Sequence, residues 1–107
     1  MTPGDIVVAM FPGVVETKNR PAVVIASSAY LSQRPDVIIG LPTTKIRVTL
    51  TPTDYVLIDW TSASLRTETC FRAFIATLPQ SRTTVIGRLT ARDFAEVQSR
   101  CRAAFAL

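Results

Sequence analysis

Apolar residues fall in short runs separated by Pro, Gly and polar clusters, and the spacing within most runs is that of strands. Asp5 to Phe11 is a nearly unbroken series of Ile, Val, Ala and Met stopped by Pro12-Gly13, which predicts a first strand. Arg20 to Ser27 predicts a second, opened by Pro21, where a missing backbone N–H is tolerated. A polar connection, Ser28 to Pro35, leads to a third run from Asp36 to Leu41 that ends at Pro42-Thr43-Thr44. Two shorter β-prone runs follow, Arg47 to Leu50 and Asp54 to Ile58, and Trp60 to Leu65 reads as a turn or one helical turn. Thr69 to Thr77 returns to strand composition around Phe71, Phe74 and Ile75, closed by Pro79-Gln80-Ser81. The period then changes. Phe94, Val97, Cys101, Ala104 and Phe105 share one helical face, and Thr90 with Asp93 three residues on forms a capping-box-like start. Glu96 and Arg100 stand at i,i+4 in the favourable order. The pattern predicts a mainly β chain of five to seven short antiparallel strands, in a small SH3-like barrel or strongly curved antiparallel sheet, closed by one C-terminal helix.

A chain of 107 residues with 48% hydrophobic and 19% charged residues has the material for one packed domain, residues 1–107, and an apolar partner surface besides. Its longest apolar stretches are strand-sized, so no membrane helix is expected. The first residues carry Pro3 and Asp5 without a basic stretch, which is not a secretory signal, and the expected location is the cytoplasm. Cys70 and Cys101, in a chain without His, make a poor metal site and are expected to be reduced core thiols, with no metal and no cofactor. The absent His also leaves acid–base work to Arg, Lys, Tyr, carboxylates or hydroxyls. Lys and Arg number 12 against 8 Asp and Glu, and all but Lys18 and Lys45 of the basic residues are Arg. The excess lies beyond residue 60, where seven arginines face only Glu68, Asp93 and Glu96. Arginine's planar fork suits phosphate recognition, and a solvated basic surface and nucleic-acid binding are both open on charge alone.

Pairing the second and third strands about a centre near residues 31 and 32 brings Arg20 beside Thr43 and Thr44. Pro21 and Pro42 shape both strand ends as rims, and Lys18, Lys45 and Arg47 are close in sequence, so this end of the hairpin is a candidate phosphate cradle. The competing reading pairs Arg20 with a carboxylate such as Glu16 and leaves the threonines as β-formers. Tyr30, in the polar connection, is a candidate for base stacking, whereas Phe11 and Trp60 are assigned to the core. Arg66 and Arg72 are candidates for tracking a nucleic-acid backbone, and Arg92, Arg100 and Arg102 are assigned to a solvated helix face.

Several segments together resemble the PemK/MazF/Kid toxins of bacterial toxin-antitoxin pairs. These are Gly4-Asp5-Ile6-Val7, Lys18 through Ile25 with its Arg-Pro start, Leu41-Pro42-Thr43-Thr44, Thr69-Cys70-Phe71-Arg72 and Ile86-Gly87-Arg88-Leu89. The resemblance implies a metal-independent endoribonuclease that cuts single-stranded RNA, forms a homodimer and is held inactive by a cognate antitoxin. It implies Arg20 as the catalytic arginine and Thr44 as the catalytic threonine, with Thr43 the register alternative, and it maps a further arginine onto Arg72. An acidic residue used by some members two positions later is Phe74 here, and a glutamate of the first loop is matched only loosely by Glu16. The general base stays open between Glu16, Tyr55 and water.

Two alternatives remain. Gyrase-poisoning toxins of the CcdB type share the fold but act through a tryptophan-bearing tail, whereas this chain ends Ala103-Ala104-Phe105-Ala106-Leu107. A degenerate member that binds RNA without cutting it is kept open by Phe74.

Overall fold

A computed structural model describes residues 1–12 and 17–107 of the chain. The elements run β1 (Asp5–Pro12), β2 (Thr17–Val24), α1 (Ser28–Gln33), β3 (Asp36–Gly40), β4 (Tyr55–Val56), β5 (Cys70–Phe71), β6 (Ile75–Pro79), a 3-10 turn (Gln80–Arg82), β7 (Thr83–Arg88) and α2 (Ala91–Phe105). Five strands form an antiparallel sheet in the order β6-β3-β2-β1-β7, and β4 and β5 pair separately as a two-stranded sheet. The chain is mainly β with a C-terminal helix, as the sequence predicts. The expected barrel or strongly curved sheet is not seen: strand pairing ends at β6 on one side and β7 on the other, and the architecture is an open sheet.

The departures have local causes. The run Thr69 to Thr77 is split because Ala73 takes a left-handed conformation (φ 53°), sending Cys70–Phe71 to β4 and Ile75–Pro79 to β3. Arg47 to Leu50, read as a strand, forms no ladder; all four of these residues are exposed, so burial does not reward pairing. The polar connection holds a helix, α1, whose cap Ser27 accepts a hydrogen bond from the Tyr30 N–H at 3.1 Å. β7, absent from the pattern reading, pairs along β1 with a bulge opposite Ile6 and Val7.

The core lies on both faces of the sheet. Val7, Ala9, Ala22, Val24, Val37 and Ile39 pack on one side; Ile6 and Val23 meet Leu57, Phe71, Leu89 and Val97 on the other. Strands buried on both faces need apolar residues at every position, which is why β1 and β2 read as continuous runs. Phe71 is fully buried and sits so near β3 that a Cβ on Gly40 would lie 2.4 Å from its ring. Cys70 is buried, Cys101 is half-buried against the second cluster, and both thiols are free, as expected. Trp60 also packs there.

α2 begins as predicted, with Thr90 accepting from the Asp93 N–H at 3.4 Å and Arg100 paired to Glu96 at 2.9 Å. Asp93 itself is fully buried and takes three hydrogen bonds: from the Tyr55 hydroxyl (2.6 Å), the Ile58 N–H (3.1 Å) and the Asp59 N–H (2.8 Å). Asp59 is gripped in turn by Arg92 (2.7 Å at both nitrogens) and Thr90 (2.6 Å). Arg100 donates to the Asp54 carbonyl at 3.0 Å. Segment 54–59 is thereby anchored to the helix by buried polar contacts.

Candidate functional site

β2 and β3 share only two ladder positions, Val23 opposite Gly40 and Val24 opposite Ile39. Continuing that register by three residues sets Arg20 opposite Thr43, the juxtaposition predicted from the hairpin. The ladder stops first because Pro21 has no N–H to donate and Pro42 interrupts the other strand. Thr43 turns instead to Cys70, exchanging backbone hydrogen bonds of 2.9 and 2.8 Å. The gap that opens is a cavity of about 350 Å³ lined by Arg20, Thr43, Thr44, Lys45, Thr69 and Arg72, with Pro21 and Pro42 at its edge.

Arg20 and Thr44 are both exposed on this wall. Thr43 is half-buried, and its hydroxyl accepts from the Lys45 N–H at 3.1 Å, which leaves Thr44 the freer hydroxyl of the two. Arg72 donates from Nε to the Leu41 carbonyl at 3.4 Å and lies over the Phe74 ring, 5.2 Å from its centre. Phe74 thus stacks on the arginine two positions before it. Among the described residues no carboxylate pairs with Arg20. The site is a cluster of cations and hydroxyls with room for an anion.

The other predicted residues separate. Arg47 lies outside this cavity but lines a second, larger cleft that shares Thr43, Lys45 and Arg72 with it. Arg66 is exposed and lines neither cavity, nor does Tyr30. The Tyr30 hydroxyl is bonded to Asp36, its ring packs against the first core cluster, and Arg34 lies over it at 5.7 Å. Lys18 belongs to β2, but its side chain and that of Phe11 lie outside the description, and Glu16 lies outside the described residues altogether. Tyr55, a candidate base, is committed elsewhere: burial and its bond to Asp93 push its phenol well above the ordinary value. Thr69, unmarked in the sequence reading, joins the cavity; its place beside the Cys70–Thr43 bridge was the available signal. Among the described residues no three His, Cys, Asp or Glu side chains gather as a metal-ligand cluster, and no helix is long and apolar enough to cross a membrane.

The chain is an open β sheet with one C-terminal helix and a basic, hydroxyl-rich cavity at the frayed end of a central hairpin. The family model for the PemK-like, MazF-like toxin of type II toxin-antitoxin systems matches residues 2–105, and the chain belongs to that family. Solved structures agree on the fold. An endoribonuclease bound to its cognate antitoxin from a mycobacterial species is 18% identical with a TM-score of 0.81, over 100% of this chain and 96% of that one. A MazE-MazF complex from Deinococcus radiodurans is 17% identical with a TM-score of 0.81, covering 100% and 97%. The Mycobacterium tuberculosis toxin MazF-mt6 is 20% identical with a TM-score of 0.75, covering 96% and 97%. No protein with a curated description matches the sequence.

Proposed function

We propose that this chain is the toxin of a toxin-antitoxin pair and acts as a sequence-selective endoribonuclease on single-stranded messenger RNA in the cytoplasm. The observation that carries the reading is that Arg20 and Thr44 share the wall of one cavity with Lys45 and Arg72. RNA brings its own nucleophile. The 2′-oxygen attacks the adjacent phosphorus, the bond to the 5′-oxygen breaks, the 2′-OH proton passes to a base and the departing oxygen takes a proton. The products are a 2′,3′-cyclic phosphate and a 5′-hydroxyl, and a metal is not required.

In this scheme Arg20 donates two hydrogen bonds to the non-bridging oxygens as the phosphorane forms, and Thr44 donates a third. Arg20 works by charge rather than by proton transfer, because a guanidinium does not release its proton in the working pH range. Thr43, Lys45 and Arg72 hold the flanking phosphates, with Lys18 and Arg47 extending the track, Arg66 as an outer backbone contact and Tyr30 as an outer surface for base stacking. Glu16 or water serves as base. Active as a homodimer, the toxin is silenced when an acidic segment of its antitoxin covers the basic rim; antitoxin-bound relatives of the same fold support that partner.

Incubating wild type, Arg20→Ala and Thr44→Ala with a long single-stranded RNA in EDTA tests this. Wild type cuts, Arg20→Ala slows about 1,000-fold and Thr44→Ala about 100-fold, the range for loss of a transition-state donor. Folded wild type that binds RNA and leaves it intact identifies the non-cleaving alternative.

A further inference from the structure

The larger cleft, about 600 Å³, runs directly on from the Arg20 cavity through their shared residues Thr43, Lys45 and Arg72. Its lining differs in character: beside the basic Arg47 and Arg72 it carries Thr51, Thr53 and Asp54. Asp54 is half-buried, and the turn that holds it spends only part of its carboxylate. The Thr51 N–H (2.8 Å) and hydroxyl (2.9 Å) both donate to Oδ2, while the Asp54 N–H donates back to the Thr51 carbonyl at 3.0 Å. Oδ1 has no partner among the described residues. The main chain at Asp54 is tied to α2 by Arg100, which donates to the Asp54 backbone carbonyl at 3.0 Å.

A carboxylate is a poor neighbour for a phosphate and a good one for an amino group. A track built only to bind the RNA backbone would hold cations and hydroxyls throughout, as the first cavity does. We infer that the larger cleft is a base-selecting subsite, in which Asp54 accepts a hydrogen bond from the exocyclic amino group of adenine, cytosine or guanine and rejects uracil. Uracil's only donor on its pairing edge is the ring N3–H, set between two carbonyl oxygens, so any exocyclic group it turns toward Oδ1 meets an acceptor with an acceptor, whereas the other three bases offer an exposed exocyclic amino group. The volume falls within the range of small-molecule sites, about 300–1,000 Å³. Arg47 offers donors for the ring acceptors and a plane for stacking. The Thr51 hydrogen bonds, with Arg47 and Arg72 nearby, hold the Asp54 carboxyl below its ordinary value, so it stays an acceptor at neutral pH.

The inference rests on the ribonuclease reading for its place beside the cut, but base preference is measurable without cleavage. Fluorescence anisotropy with hexamers rA6, rC6 and rU6 is read alongside sequencing of cut ends from a random RNA pool. Wild type binds rA6 or rC6 about tenfold or more tighter than rU6, the discrimination of one good base contact, and uracil is depleted at one position beside the cut. Asp54→Asn keeps an acceptor for Thr51 but turns an amide donor toward the cleft, so uracil becomes admitted at that position and the hexamer preference narrows or inverts. Asp54→Ser loses the preference if Asn perturbs the turn. Equal binding of the three hexamers by wild type, or an unchanged preference in folded variants, overturns the inference. Cleavage with no Asp54-dependent preference removes this subsite alone; base-selective binding without cleavage removes the nuclease reading alone.

Discussion

Arg20 is useful where it stands because two prolines keep its strand, paired with β1 on the other side, from pairing with β3 there. Pro21 and Pro42 end the β2–β3 ladder at Val23, and the guanidinium is left at an open rim instead of inside a continuous sheet. Its shape matters as well as its charge. Arg20→Lys keeps the cation but loses the two-pronged fork, so RNA binding should persist within a few-fold while single-turnover cleavage falls about 100-fold. Asp59 makes a separate, acid-sensitive contribution. Its hydrogen bonds from Arg92 and Thr90 lower its pKa to about 2, below the ordinary 3.8. A carboxylate depressed in the folded state stabilises fully above the unfolded value, and that stability is lost as pH falls through the folded one. The melting temperature of wild type should exceed that of Asp59→Asn at pH 6, and the difference should close between about pH 4 and pH 2.

At the scale of elements, segment 54–59, which brings Asp54 to the cleft lining, is attached to α2. Asp93 is fully buried under three donors, so Asp93→Asn leaves at least one of them unpaired, costing about 2 kcal/mol. For a domain of this size that is a fall of about 10 °C in Tm. Gly87 is fixed by close approach, since a Cβ there would lie 2.3 Å from the Ala63 carbonyl oxygen; Gly87→Ala should separate β7 from the 60–64 turn and lower Tm by a comparable amount. The hairpin and the terminal helix were legible because each depends on local signals: proline rims and Val- and Ile-rich apolar runs for β2 and β3, a Thr90 cap and 3.6-residue spacing for α2. β7 was not. Thr84, Val85 and Ile86 are exposed, so no apolar alternation marks the strand, and its existence follows from the edge that β1 offers. The split of Thr69 to Thr77 was hidden because Ala73, an ordinary residue by type, takes a left-handed conformation imposed by tertiary contacts. The second cleft was invisible for a related reason: Arg47 and Asp54 come from a stretch of little regular structure, and only tertiary folding brings them into one lining.

For the whole molecule, the formal charge of +4 matters less than where the free cations gather. Arg88, Arg92 and Arg100 are spent on Asp5, Asp59 and Glu96, while Arg20, Lys45 and Arg72 converge on one cavity. On a single strand these three cations alone contribute a slope of about −2 in log K against log salt, at roughly 0.7 per contact, and the outer track adds to it. Binding of a 2′-O-methyl RNA, which lacks the 2′-hydroxyl nucleophile, should show at least that slope between about 50 and 200 mM salt. Arg72→Ala should flatten it by about 0.7 and weaken all sequences alike, because the residue meets the backbone. Arg92→Ala, distant from the cavity and already paired with Asp59, should leave the slope unchanged although it lowers Tm. A slope that responds equally to both substitutions would mean that RNA meets the protein's general positive field and not this rim.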